Sequence, residues 1–110
     1  MTLDDFITAA QYQRGVADGL NAGLLFAIAD RAAEDFDAHD LAASVRKLYA
    51  RLAAEAIDEA KKCGDYDRGW CAGCATAVQT FDRAMTMAQL ADCVTTVSSN
   101  LLRRMARQAA

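Results

Sequence analysis

Residues 63–74, CGDYDRGWCAGC, decide how the chain divides. They hold three of the four cysteines and the only Trp, and they separate two helical patterns. Lys61 and Lys62 come just before, where the partial negative charge of a helix C-terminus favours cations. Gly64 is expected to end that helix in the left-handed conformation, which is open to a residue without Cβ. Asp65 and Asp67 are then expected to cap a new helix that starts near Asp67. Trp70, Cys71 and Cys74 would fall in its first two turns. The stretch therefore predicts a corner between two helices.

Outward from that corner, Leu41, Val45, Leu48, Leu52 and Ala56 recur at helical spacing, ending near Cys63. Arg46, Lys47, Arg51, Glu55, Asp58 and Glu59 form a solvated outer face. This helix starts in an acidic corner, EDFDAHD at 34–40, with Asp37 or Asp40 as its cap. His39, the only His, is expected there as an exposed helix-end residue. Further back, Thr2 and Asp5 make a variant of the capping box. Phe6, Ala10, Ala17, Leu20, Leu24 and Ile28 then mark one face of a first helix that reaches about Asp35, longer than thirty residues. Gly15, Gly19, Gly23 and Ala27 form a second row, one residue in four. Each glycine costs about 1 kcal/mol against Ala inside a helix. Either the row lets another helix come close, as small-xxx-small rows do, or the helix breaks at Gly19–Gly23 with Asn21 capping a second segment.

Beyond the corner, Trp70, Cys74, Val78, Phe81 and Met85 are expected inward. Thr86 and Gln89 repeat the capping-box pattern, so a fourth helix begins at Met87 with the stripe Leu90, Val94, Val97, Leu101 and Met105. Arg103, Arg104 and Arg107 suit its C-terminal end. The chain has 110 residues, no Pro and much Ala, so nothing interrupts a helical hydrogen-bond ladder. The reading is one all-α domain over residues 1–110: an antiparallel bundle of four helices, or five if the first one breaks.

A formal net charge of −3 argues against a nucleic-acid binder, which needs a dense basic face. The most apolar run, Gly19–Ala29, is too short to span a bilayer and contains Asn21. The start MTLDDF is acidic where an export signal is basic, so a cytoplasmic location with reduced thiols is expected.

The pentapeptide WCAGC, Trp70–Cys74, resembles the WCxxC active site of the thioredoxin family. That family sets its motif after a β-strand and usually has Pro where Gly73 stands; no strand pattern precedes Trp70. All-helical peroxidase-type proteins of the AhpD class carry Cys-x-x-Cys on a helix beside relay histidines, whereas His39 is far from Cys71 in sequence. At a helix N-terminus Cys71 would be the attacking thiolate, with Cys74 resolving. The plainer expectation is that Cys71, Cys74 and Cys93 pack as small hydrophobes, the first two in a row with Val78, Phe81 and Met85. A four-sulfur zinc site would need Cys93 to join the other three, and a fold-back at Thr86 leaves it roughly 10 Å along the axis from Cys71. Glu34, Asp35, Asp37 and Asp40 lack calcium-loop spacing, and Glu55, Asp58 and Glu59 lack the Glu-x-x-His pairs of a ferritin-like site. No metal and no cofactor are expected. No Ser-His-Asp set, phosphate loop or Rossmann signature is present.

Function is then expected in the surface: a small helical subunit, adaptor or inhibitor of a protein partner, of the kind phages and mobile elements carry. Gly15, Gly19, Gly23, Leu24 and Phe26 are the expected interface, with a twofold dimer as the simplest assembly. The alternatives are a thiol–disulfide protein using Cys71 and Cys74, and a small-molecule pocket near Trp70 and Phe81.

Overall fold

Thr2 opens the first helix by the reciprocal pair its sequence predicts. Its hydroxyl accepts from the Asp5 amide, and the Asp5 carboxylate accepts from the Thr2 amide, each at 3.2 Å. In the computed structural model, which describes residues 2–109 apart from the side chains at 36, 105 and 107–109, this helix is α1 (Leu3–Ala32). It is followed by α2 (His39–Lys62), α3 (Gly64–Thr80) and α4 (Met87–Ala109), and there is no strand among the described residues. The helix α1 passes unbroken through Gly19–Gly23. Its 30 residues make it ~45 Å long, within a molecule of 52 × 30 × 21 Å.

Contacts along the helices give their directions. Arg14 of α1 reaches Glu59 of α2, while Ala32, Ala38 and Ala42 meet at the opposite end, so α1 and α2 are antiparallel. Arg104 of α4 reaches Asp18, and Met87 packs near Ala32 and Ala42, so α4 also opposes α1. Gly15 abuts Tyr66, Gly19 abuts Trp70 and Gly23 abuts Cys74, so α3 runs parallel to α1. Direction alternates along the chain, yet the most extensive helix contact is the parallel pair α1/α3.

The corner at Cys63 is tighter than its sequence predicts. One extended residue, Cys63 (φ −151°, ψ 113°), ends α2 and starts α3. Gly64 is already helical, and no described glycine has positive φ, so no left-handed cap is used. Asp65 and Asp67 lie in the first turn, where their charge favours the helix dipole, rather than at the cap. Neither Asp37 nor Asp40 caps α2. Asp35 instead caps a 3₁₀ turn, Phe36–Ala38, by accepting from the Asp37 amide at 3.0 Å, and α2 follows without a side-chain cap. His39 is exposed as its first residue. The start of α4 matches expectation: Thr86 and Gln89 exchange side-chain and backbone hydrogen bonds at 2.8 and 3.2 Å.

The core is built from Leu25, Ile28, Val45, Leu90 and Val97, all fully buried, with Ala22, Ala29 and Leu52 around them. Burying side chains of this size contributes ~1.5–3 kcal/mol each. On α2 the expected face is inward: Val45, Leu52 and Ala56 are buried, and Leu41 and Leu48 half-buried. The stripe of α4 is also inward at Leu90, Val94, Val97 and Leu101, while the Met105 side chain lies outside the described residues. The faces of α1 and α3 differ from the apolar rows in the sequence. Phe6, Ala10, Ala17 and Leu20 are exposed, and α1 buries Gly15, Gly19, Ala22, Gly23, Leu25 and Ile28 instead. On α3, Cys71 and Val78 are exposed, and the buried row is Tyr66, Gly69, Gly73 and Ala77.

Candidate functional site

The glycine row is a seam inside the chain. A Cβ on Gly15 or Gly19 would be driven into the carbonyl oxygen of Tyr66 or Trp70. One on Gly69 or Gly73 would meet the carbonyl of Tyr12 or Val16. Two rows of small residues, Gly15-Gly19-Gly23 and Gly69-Gly73-Ala77, thus bring two helix backbones into direct contact. The close approach that the row calls for is supplied by α3, so these three glycines are buried here rather than offered to a second chain. Leu24 is half-buried against the core, and Phe26 remains half-exposed, its ring 5.6 Å from that of Tyr49.

All four helices place polar groups at one end of the bundle. Tyr66, almost wholly buried, donates its hydroxyl to Asp18 at 2.7 Å. Arg104 pairs with Asp18 at 3.2 Å and with Glu55 at 2.7 Å. Arg14 pairs with Glu59 at 2.6 Å, and its guanidinium lies 5.0 Å from the Tyr66 ring centroid. Burial, and then the hydrogen bond to Asp18, push the Tyr66 phenol well above the usual tyrosine range. These groups line an open cleft of about 690 Å³. Its five named charges pair with one another, so the cluster is a clamp that ties the helices together, and Asp58 and Lys62 also line the cleft. Among the described residues, no three His, Cys, Asp or Glu side chains are grouped to hold a metal ion.

The cysteines are all free. Cys71 is exposed, which corrects the expectation that it packs in the core; Cys63, Cys74 and Cys93 are half-buried. Because α3 begins at Gly64, Cys71 is its eighth residue and lies in the third turn. The dipole and free amides of a helix start act within the first turn only, so the position lacks the feature that would activate a thiol. Burial, with Cys71 nearby, raises the thiol of Cys74, the resolving residue of that reading. Cys93 lies next to Met85, sulfur to sulfur at 3.9 Å.

What remains is apolar surface. Residues 2–10 are exposed without exception. They precede Tyr12 and Gly15, the first α1 residues that α3 covers, so the start of α1 projects beyond the bundle. Leu3, Phe6, Ile7 and Ala10 stand at i, i+3, i+4 and i+7, one stripe on this overhang. Leu3 is 73% exposed, Phe6 63% and Ile7 48%. The overhang lies at the start of α1; towards its other end Leu25 and Ile28 are fully buried, Leu24 is half-buried and Phe26 is 48% exposed. Phe6 belongs to the apolar row that runs on to Ile28, and helical spacing does not say where along that row the bundle begins. Two grooves add to this surface. One, between α2 and α4, is lined by Leu48, Leu52, Leu101 and Leu102 with Arg51. The other, between α2 and α3, is lined by Ala53, Ile57, Ala60, Asp67 and Trp70.

No helix among the described residues is long and apolar enough to cross a membrane. Compared with known protein families, with curated proteins and with solved structures, the chain matches none.

Proposed function

We propose that this chain is an interaction module that works by presenting the overhanging start of α1 to another polypeptide. One observation carries the reading. A capped, regular helix continues for two turns past the bundle and shows a four-residue apolar stripe to solvent. Leaving Leu3, Phe6 and Ile7 in water forgoes ~1.5–3 kcal/mol for each, and a contiguous exposed apolar stripe is the mark of a contact site. Helix-in-groove recognition uses this same spacing of anchors. The charged clamp at Asp18 and Arg104 supports the reading in a second way, by holding the bundle rigid behind the projecting turns.

A photo-reactive phenylalanine analogue at position 6 tests this in the native cell. The expected result is a discrete protein adduct that is absent when the analogue replaces the exposed Gln79 near the end of α3. Illumination that yields only the uncrosslinked chain would remove the reading.

A further inference from the structure

Resting on that reading, we infer that the partner is a second copy of this chain, whose groove between α2 and α4 receives the overhang. The stripe Leu3, Phe6, Ile7 and Ala10 needs an aliphatic trough about two turns long. Leu48 to Glu55 of α2 gives such a trough, ~10 Å of helix, closed on its far side by Leu101 and by Leu102, itself 65% exposed.

Charge separates the two grooves. Asp4 and Asp5 flank the stripe. The α2/α4 groove carries Arg51 and Arg104; Arg104 is engaged with Asp18 and Glu55, whereas Arg51 has no ion-pair partner among the described residues. The α2/α3 groove presents Asp67, and its Lys61 already faces Asp58 at 3.9 Å. With Glu55 counted, the first groove keeps a net positive lining from Arg51 and Arg104, whereas Lys61 and Asp67 balance in the second, so an acidic apolar helix is favoured in the first.

Area argues for reciprocity. Eight residues, 3–10, overhang. Another eight line the groove, so each copy would commit sixteen. A stable interface uses roughly 20–30 residues a side. Overhang against overhang would engage only half of what the chain offers. A twofold pair, in which each copy gives its overhang and receives the other's, uses both surfaces at once and closes the assembly. Sixteen residues a side is at the small end, so the dimer is concentration-dependent.

Light scattering coupled to size exclusion, over a concentration series of the full chain, reads the result directly. The mass should rise from 11.8 kDa towards twice that value. Phe6→Asp and Leu102→Asp, both at well-exposed positions and so compatible with folding, should each weaken dimerisation roughly tenfold or more. Ile57→Asp, in the other groove, should leave it unchanged. Circular dichroism of each variant confirms that the helices persist. Two outcomes overturn the inference: a wild-type chain that stays monomeric throughout, or dimers that resist Leu102→Asp while yielding to Ile57→Asp. A monomer whose position-6 probe still crosslinks to another protein would sink self-association alone and leave the interaction reading standing.

Discussion

At Gly19 a single methyl group decides whether two helices can touch. The added carbon would meet the Trp70 carbonyl, which is backbone and cannot rotate away. Gly19→Ala should cost about 1–3 kcal/mol, the usual range for overpacking a fitted contact, although Ala is the better helix former. Gly64 is the internal control. It is helical, with nothing within 4 Å of an added Cβ, so Gly64→Ala should stabilise by about 0.4–1 kcal/mol. Urea unfolding of the two variants measures both; a Gly19→Ala protein as stable as the parent would mean that α1 and α3 do not meet backbone to backbone. The sequence suggests a close approach at Gly19 and a left-handed cap at Gly64, and only the first is formed. Only Gly15, Gly19 and Gly23 stood out, because their spacing is regular within an otherwise Ala-rich helix. Gly69, Gly73 and Ala77 have the same spacing, but Trp70, Cys74 and Val78 give α3 a competing apolar row.

Helix ends were legible where their determinants are local. Thr2 with Asp5, and Thr86 with Gln89, each need four residues and nothing else. Helix faces were legible on α2 and α4, where Leu and Val mark the inward side. They were not legible on α1 and α3, because a face that packs through missing side chains has no apolar signal of its own. The two capping boxes should nonetheless respond differently to the same change. Thr86→Ala should lower global stability by ~1 kcal/mol, since α4 folds with Leu90 and Val97 in the core. Thr2→Ala should fray only residues 2–10, which are exposed throughout. Amide exchange separates the two: faster exchange throughout the molecule for the first, and at the start of α1 for the second. Acid should mimic Thr2→Ala. The Thr2 amide and hydroxyl hold the Asp5 carboxyl below the usual aspartate range. Its contribution is complete above the unfolded value and is lost as pH falls through the lower folded one, so the first turn should fray at acid pH while the bundle persists.

Across the whole molecule, Tyr66 joins the α1/α3 seam to the charged clamp. Its backbone carbonyl faces Gly15, its ring lies under Arg14, and its hydroxyl donates to Asp18, which also holds Arg104 of α4. Tyr66→Phe keeps the ring and removes only the donor. At neutral pH it should destabilise by about 1–2 kcal/mol, the low end for a hydrogen bond to a charged acceptor, because Asp18 keeps Arg104. Alkali should erase that difference. Burial and Asp18 raise the phenol above its ordinary value, so the folded chain holds this proton when the unfolded chain has released it. From about pH 10 upward the unfolded state binds fewer protons, and stability must fall as pH rises. The Phe variant has no such group at position 66. The raised Tyr49 phenol and Cys74 thiol shift in the same direction in both proteins and therefore cancel in the comparison. The urea-derived stabilities of parent and variant should run parallel near neutrality and converge above about pH 10. Curves that stay parallel through the alkaline range would show that Tyr66 titrates as an ordinary surface tyrosine and that the clamp does not bury it.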